Sequence, residues 1–177
     1  SLDILDPSSN NSIVKNFQSH QLSFSKIDLQ NYLLVTTGYS KRHNYASVAV
    51  VDPLINVYDL RYLKPLAPTS FPAGASFVSL HPKMQNMCFA CSATGQLQFI
   101  DLFNINNFKI YQVNLLNPHG AGLTFLGAPN GPSSPKIVKM EISNSGDYLI
   151  LVDNYNTVYL WSTDPTSGFN NYSKQLE

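Results

Sequence analysis

The most regular alternation of side-chain character runs through residues 55–60. Successive residues of an extended chain point to opposite faces, so positions 55 and 57 share one face and Tyr58 lies on the other. Asp52 precedes this segment across a short turn, and Asp59 follows Tyr58 directly. The pattern predicts a strand that begins after an acidic turn and ends in an aromatic–Asp pair.

The same sequence motif recurs along the chain, and we interpret it as an internal repeat. Its aromatic or aliphatic slot is filled in turn by Leu5, Tyr58, Ile100 and Trp161, at spacings of 53, 42 and 61 residues. A WD40 repeat, whose four strands form one blade of a β-propeller, takes ~40–45 residues. The middle spacing fits one blade, and the two longer spacings predict loop insertions, one beginning at Gly38 and one over residues 117–135.

The predicted fold class is all-β, a WD40-type β-propeller. Seven blades need roughly 300 residues, and the chain has 177, so we expect about three blades plus part of a fourth, from the C-terminal portion of the propeller. We assign residues 1–163 to the propeller and 164–177 to the start of a departing linker, because no fourth strand is predicted after Trp161. Apolar alternation predicts strands at 1–6, 13–17, 24–29, 32–37, 46–51, 55–60, 77–82, 87–92, 96–102, 110–114, 137–142, 148–153 and 157–162, with an edge piece at 64–68.

Four residues match the buried polar chain that stabilises WD40 blades. Ser19-His20 stands where such repeats have Gly-His, and His20 is predicted to bond Thr36 or Thr37 and to reach Asp52. Tyr58 replaces the family's Trp at the end of the chain. We predict a structural role for His20, Thr36, Asp52 and Tyr58, because a buried polar network helps only when each member is satisfied. No serine lies in a nucleophile-elbow context, so no catalytic residue is assigned.

Composition excludes several classes of partner. Charged residues make up 12% of the chain and the formal net charge is zero, so no field of one sign is expected to attract nucleic acid or membrane. No apolar run approaches the ~20 residues of a membrane span. Cys88 and Cys91 form a C-x-x-C within a predicted strand, where positions three apart face opposite sides. We therefore predict two free structural thiols and no metal or cofactor site.

The ordered set of motifs resembles the WD40 region of the catalytic subunits of poly(A)-nuclease (PAN) deadenylation complexes. The resemblance covers nearly the whole chain and rests on Gly38-Tyr-Ser40, Val57-Tyr-Asp-Leu-Arg61, Pro65-Leu-Ala-Pro68, Phe77, Pro82, Ser92, Gly95-Gln-Leu-Gln-Phe99, Tyr111-Gln-Val113, Ser145-Gly-Asp147, Leu160-Trp161 and Phe169-Asn-Asn-Tyr-Ser173. It implies a cytoplasmic 3′-to-5′ exoribonuclease that shortens poly(A) tails, with processing bodies as a further location. It also implies an exonuclease domain using divalent metal such as Mg²⁺, a domain that this chain does not contain.

From the resemblance we expect this region to be a non-catalytic scaffold. The implied partners are the adaptor subunit of the PAN complex and poly(A) RNA carrying poly(A)-binding protein, with no membrane. A different function is direct RNA binding by a basic and aromatic cluster in the first insertion, formed by Tyr39, Lys41, Arg42 and His43, since stacking beside cations holds single strands. A WD40 adaptor unrelated to deadenylation is the third interpretation.

The chain starts and ends inside predicted blades. Unpaired strand edges promote association, so we expect the rest of the propeller, or another chain, to cover them. Expressed alone, residues 1–177 are expected to be insoluble, partly unfolded or oligomeric.

Overall fold

A computed structural model describes residues 1–42, 45–116 and 134–172. Within these ranges the chain forms sixteen strands, one 3₁₀ turn at Pro7–Ser9 and no α-helix. The strands form successive blade-like sheets in chain order, so the predicted all-β fold class is confirmed.

The first two blades differ in completeness. The first sheet holds only β1 (Leu2–Asp6) and β2 (Ser12–Phe17), which are antiparallel. The second blade consists of four antiparallel strands, β3 (Phe24–Gln30), β4 (Leu33–Arg42), β6 (Leu54–Asp59) and β7 (Lys64–Pro65). Two strands lie off this path: β5 (Tyr45–Val51) pairs with the second half of β4, and β8 (Thr69–Ser70) pairs with β6.

The third and fourth blades each have four strands. The third is β9 (Phe77–Leu80), β10 (Met87–Cys91), β11 (Gln96–Asp101) and β12 (Phe108–Gln112), all antiparallel to their neighbours. The fourth is β13 (Ile137–Ile142), β14 (Tyr148–Asp153), β15 (Val158–Ser162) and β16 (Asn170–Asn171).

The hydrophobic core lies in layers between successive blades. Side chains alternate along a strand, so neighbouring residues of β10 lie in different layers. Cys88 and Ala90 lie in the layer shared with the second blade, and Phe89 and Cys91 lie in the layer shared with the fourth. A smaller layer joins the first sheet to the second blade through Phe17, Leu34 and Tyr58. The second and third blades are therefore held by apolar contacts on both faces. The fourth blade shares a layer with the third, and its other face leaves Val138, Ile150 and Val158 exposed.

The two cysteines lie in different core layers, as the strand periodicity predicts. Both are free and fully buried. Burial raises the pKa of the Cys91 thiol to about 12, and burial together with the nearby Asp28 carboxylate raises the pKa of Cys88. Neither thiol is a reactive thiolate at neutral pH.

The structure differs from the sequence prediction at the first insertion and after Trp161, and it adds the short strand β8. The first insertion does not break the strand at Gly38, because β4 continues to Arg42 and β5 returns alongside it as a hairpin. At the other end, residues 170–171 add a fourth strand that runs parallel to β15. The segment after Trp161 therefore stays attached to the fourth blade at least as far as Tyr172, which is buried. The second predicted insertion lies almost wholly outside the described residues.

Candidate functional site: a polar chain and an interaction surface

His20 lies at the centre of the polar chain in the second blade. Its Nδ1 is 3.0 Å from Asp52 Oδ2, and its Nε2 is 3.1 Å from Thr36 Oγ1. The His20 side chain is fully inaccessible to solvent. The strand pairing explains the contact, because Thr36 is on β4, and Asp52 lies in the turn between β5 and β6.

Two further side chains extend this polar chain. Ser19 Oγ lies 3.1 Å from Thr36 Oγ1, and Asn56 Nδ2 lies 3.4 Å from both Ser19 Oγ and His20 Nε2. Asn56 is directly opposite Thr36 in the pairing of β4 with β6. The sequence prediction missed Asn56, although its position two residues before Tyr58 on the same strand face was a usable signal.

Tyr58 does not belong to the polar chain, which corrects the sequence prediction. Its hydroxyl is buried and has no hydrogen-bond partner among the described residues. Its ring packs on Phe17 with centroids 4.7 Å apart, in the apolar layer between the first sheet and the second blade. Tyr58 therefore contributes packing in place of the polar contact predicted for it.

Both carboxylate oxygens of Asp52 are engaged in hydrogen bonds within the second blade. Asp52 Oδ1 accepts a hydrogen bond from the backbone N–H of Leu54 at 3.0 Å, while Oδ2 faces His20. A buried carboxylate with both oxygens engaged holds the turn before β6 in place. Because these side chains bond one another inside the blade, they offer no surface for a substrate. The polar chain is therefore a structural network.

The fourth blade contains a different polar pair, which the sequence analysis did not predict. Tyr159 donates its hydroxyl hydrogen to Asp153 Oδ2 at 2.8 Å and accepts a hydrogen bond from the backbone N–H of Leu116 at 2.9 Å. Asp153 Oδ1 accepts from the backbone N–H groups of Tyr155 and Thr157. The signal was an aspartate at the end of one strand with a tyrosine six residues later, the same separation as between Asp52 and Tyr58.

Hydrogen bonding has a larger net effect than burial on the pKa of Asp153. Burial alone acts to raise the pKa of this carboxyl, but the bonds from Thr157, Tyr159 and Tyr155 hold it below its ordinary value. Burial is also the main cause that raises the pKa of Tyr159. The pair is therefore a charged acceptor with a neutral donor at neutral pH.

An arginine is fixed on the surface at the end of β6. Arg61 binds both carboxylate oxygens of Asp59, with Nε at 3.1 Å from Oδ1 and an Nη at 2.6 Å from Oδ2. Its guanidinium lies 3.5 Å from the centre of the Tyr32 ring. The hydrogen bond from Arg61 is the largest cause that lowers the pKa of Asp59. This ion pair orders the exposed turn after β6.

Three of the four residues predicted to contact RNA or a partner, Tyr39, Lys41 and Arg42, lie on β4, the first strand of the β4–β5 hairpin. Tyr39 is partly buried and Lys41 is exposed, and as strand residues two apart they share one face of β4. The Lys41 backbone N–H donates to Gln21 Oε1 at 3.0 Å, which ties the hairpin to the preceding segment. Arg42 ends β4, and His43 lies outside the described residues.

The described part of the chain contains neither a candidate metal site nor a helix suited to span a membrane. No group of three or more His, Cys, Asp or Glu side chains in residues 1–42, 45–116 and 134–172 could hold a metal ion. Over the same ranges, no helix has the length and apolar character that crossing a membrane requires.

Comparison with known proteins establishes the family. The family model described as PAN2 N-terminal matches residues 8–162, most of the chain. The chain belongs to the PAN2 N-terminal family. The resemblance to catalytic subunits of PAN complexes is thereby confirmed.

Curated relatives carry the same family name. A protein of Candida albicans named PAN2-PAN3 deadenylation complex catalytic subunit PAN2 is 39% identical over 100% of this chain and 15% of its own length. A relative of the same name from Debaryomyces hansenii is 36% identical over 99% of this chain and 16% of its own length. The chain thus spans about one-seventh of the curated relatives that it matches.

Solved structures agree on the fold. The Neurospora crassa Pan2 WD40 domain is 26% identical, with a TM-score of 0.71 over 95% of this chain and 46% of that one. The Cps50 (Swd1) β-propeller domain of Myceliophthora thermophila has a TM-score of 0.62 over 87% of this chain and 43% of that one, and at 12% identity it shows the fold alone. The chain therefore corresponds to a little under half of a PAN2-type WD40 domain.

Proposed function

We propose that this chain is a non-catalytic platform within the catalytic subunit of a PAN2–PAN3 deadenylation complex. The observation that carries the proposal is the match of residues 8–162 to the PAN2 N-terminal family. In the proposed role, the propeller binds the PAN3 adaptor and poly(A) RNA carrying poly(A)-binding protein. A separate exonuclease domain, which uses divalent metal such as Mg²⁺, shortens poly(A) tails in the cytoplasm and in processing bodies.

The buried polar groups support a platform role. His20, Asp52 and Thr36 satisfy one another inside the second blade, and Asp153 is enclosed by donors from its own turn and from Tyr159. Side chains committed in this way stabilise strands and turns, and they leave partner binding to the exposed surface.

The β4–β5 hairpin is the part of that surface best suited to docking. It extends beyond the stretch of β4 that pairs with β3 and β6, and the register pairs Tyr39 with Val51 and Ser40 with Val50. A hairpin that leaves the blade costs backbone entropy without adding to the core layers. Contact with a partner would offset that cost.

A hairpin truncation in the full-length protein tests the proposal. Residues 41–49 are replaced by Asn-Gly, which closes a two-residue turn between the paired Ser40 and Val50. We expect weaker co-purification with PAN3 or slower shortening of poly(A) coated with poly(A)-binding protein, and unchanged Mg²⁺-dependent shortening of bare poly(A). The matched control is Asn144→Ala in the exposed turn between β13 and β14.

Two results would contradict the proposal. If truncation abolishes shortening of bare poly(A) in a protein that still folds, the region participates in catalysis. If the truncated protein matches the control in both partner assays, the hairpin is not the docking element and the platform proposal loses its structural support.

Direct RNA binding is the second candidate, favoured by the placement of Tyr39 and Lys41 on one strand face. Zero net charge limits the affinity, because phosphate contacts dominate nucleic-acid binding. Lys41→Ala is expected to weaken binding of a labelled oligo(A). It should also reduce the slope of log affinity against log salt concentration by the amount that corresponds to about one released counterion. Lys64→Ala, an exposed lysine on β7, is the control. Equal affinities of the two variants would exclude this candidate.

A further inference from the structure

The repeated sequence motif places carboxylates at one end of the propeller. Asp6, Asp59 and Asp101 are the last residues of β1, β6 and β11, and the alternating directions of the antiparallel strands put them at the same end. In the fourth blade, Asp164 lies two residues beyond the end of β15, at that end also. We call this the lower end, and we call the end at which β3, β9 and β13 begin the upper end.

The carboxylates in the turns at the upper end are buried. Asp52 lies before β6 and Asp153 ends β14, and they are 9% and 0% exposed. Both accept backbone N–H groups of their own turns. In the described turns at the upper end of the second, third and fourth blades, no other Asp or Glu occurs. These turns therefore present no carboxylate to a ligand.

Three lysines at the upper end are exposed, and we call them the upper lysine surface. Lys26 is paired with Thr37 near the start of β3. Lys41 lies on the part of β4 that pairs with β5, and Lys136 directly precedes β13. All three are exposed, and none forms a salt bridge with a described residue. The charge that these blades expose at the upper end is therefore positive, although the net charge of the chain is zero.

Distance and salt keep the two ends electrostatically separate. A six-residue strand such as β6 is roughly 20 Å long, whereas the screening length at physiological salt is about 8 Å. The carboxylates of the lower end therefore do little to weaken the attraction of an anion to the upper lysine surface.

Lys26 and Lys136 lie on either side of the third blade. The residue before Lys26 donates its hydroxyl hydrogen to the backbone oxygen of Ser76, just before β9, at 2.9 Å. The residue after Lys136 donates its backbone N–H to the backbone oxygen of Ala93, in the turn between β10 and β11, at 2.9 Å. That turn, residues 92–95, has short, uncharged side chains. An elongated ligand can therefore lie across it and contact both lysines.

Two partly exposed tyrosines accompany the lysines. Tyr39 precedes Lys41 by two residues on β4. Tyr155 lies in the turn between β14 and β15, next to Asn154, whose side chain accepts the Lys136 backbone N–H at 2.7 Å. Aromatic rings beside cations hold single-stranded nucleic acid without sequence preference. An elongated polyanion that carries aromatic bases matches both features, whereas an acidic peptide matches only the lysines.

We propose that the upper lysine surface binds the phosphodiester backbone of single-stranded RNA. The strand crosses the upper end of the third blade between Lys26 and Lys136, and Lys41 contacts it from the β4–β5 hairpin. The choice of poly(A) as the RNA rests on the proposed function. The placement across three blades goes beyond that function, because it rests on the separation of exposed charge between the two ends.

Fluorescence anisotropy of a labelled oligo(A) with the full-length protein tests the proposal at several salt concentrations. EDTA replaces Mg²⁺, which removes the metal that the proposed exonuclease domain needs and protects the probe. A labelled Glu-rich peptide of equal charge is measured in parallel and is expected to bind more weakly than oligo(A).

Two lysine substitutions locate the binding. Lys26→Ala and Lys136→Ala should each weaken oligo(A) binding about fivefold near 0.1 M salt, because one phosphate contact of a single strand contributes about 0.7 to the slope of log affinity against log salt concentration. The double variant should weaken binding about 25-fold and lower that slope by about 1.4. Lys83→Ala, an exposed lysine in the turn between β9 and β10 at the lower end, is the matched control and should bind normally. Melting temperatures of all variants are compared to exclude unfolding.

The possible results separate this proposal from the proposed function. If the double variant binds oligo(A) as Lys83→Ala does, or if the Glu-rich peptide binds as tightly as oligo(A), the upper lysine surface is not an RNA site. The proposed function then stands if the hairpin truncation still weakens the partner assays. If the double variant weakens oligo(A) binding while the truncation changes neither partner assay, the RNA surface stands and the hairpin docking role fails.

Discussion

The Tyr159 hydroxyl and the Asp153 carboxylate of the fourth blade are joined by a hydrogen bond of 2.8 Å. The second blade has a tyrosine at the same separation from an aspartate, but the Tyr58 hydroxyl has no partner among the described residues. Two tyrosines with the same sequence relationship to an aspartate thus have opposite hydrogen-bonding states. Replacing each tyrosine with phenylalanine therefore tests whether its hydroxyl contributes to stability.

Removing the two hydroxyl groups should have different effects on stability. Tyr159→Phe leaves the Leu116 N–H and one oxygen of Asp153 without their partner, and should lower the free energy of unfolding by about 1–3 kcal/mol. Tyr58→Phe removes a buried hydroxyl that has no bond to lose, and should be neutral or stabilising. Denaturant unfolding of the full-length protein measures both. Equal losses would mean that the Tyr58 hydroxyl has a bonded partner in the protein.

Asp153 should contribute to acid sensitivity. Its pKa in the folded protein lies below the ordinary value of 3.8, so the unfolded chain binds more protons near that pH. Its contribution is present above pH 3.8 and is lost as the pH falls through the lower folded pKa. Asp153→Asn should therefore be less stable at pH 7 and should lose less additional stability on acidification than the unsubstituted protein.

Glu141→Gln is the control for this titration, because the Glu141 side chain is largely exposed. Its stability should fall with acidification as steeply as that of the unsubstituted protein. A curve for Asp153→Asn that parallels both would show that Asp153 is not stabilised as a carboxylate in the folded state.

Strand periodicity was sufficient to predict most of the fold. The motif around Tyr58 and its repeats indicate the third strand of each blade. The opposite faces of Cys88 and Cys91 follow from the same two-residue period. These features depend on local backbone geometry, which the sequence encodes directly.

Features that depend on contacts between distant segments were not predictable in the same way. The strand predicted at 46–51 is present as β5, but the continuation of β4 past Gly38 to Arg42 was not predicted, because it depends on pairing with β5 across the insertion. Asn170–Asn171 joined β15 as a parallel strand without any apolar alternation of its own. The packing of Tyr58 on Phe17 likewise depends on contacts between neighbouring sheets.

Gly38 should be intolerant of any side chain. A Cβ at this position would lie 2.6 Å from His20 Cγ and 2.6 Å from the backbone oxygen of Ser23. Since a backbone atom cannot move aside cheaply, Gly38→Ala should destabilise the protein by about 1–3 kcal/mol and displace His20 from Thr36. Gly168→Ala, whose added Cβ meets nothing within 4 Å, is the matched control. A Gly38→Ala protein as stable as the control would contradict the close approach of His20.

Tyr172 should hold the end of the described chain against two blades. Its hydroxyl donates to the Gly146 carbonyl at 2.6 Å, and its ring meets Phe89 of the third blade edge-on with centroids 5.2 Å apart. Tyr172→Ala removes a buried ring at the boundary of the third and fourth blades, and should cost about 3–5 kcal/mol in the free energy of unfolding.

Phe169→Ala separates this role from a general effect of the C-terminal segment. Phe169 belongs to the same segment but is 48% exposed, so its loss should change the stability by less than about 0.5 kcal/mol. Tyr172→Phe should fall between the two, because it keeps the ring contact and loses only the hydroxyl bond. If Tyr172→Ala unfolds at the same denaturant concentration as Phe169→Ala, the segment after Trp161 is a departing linker, as the sequence pattern predicted, and Tyr172 does not fasten it to the propeller.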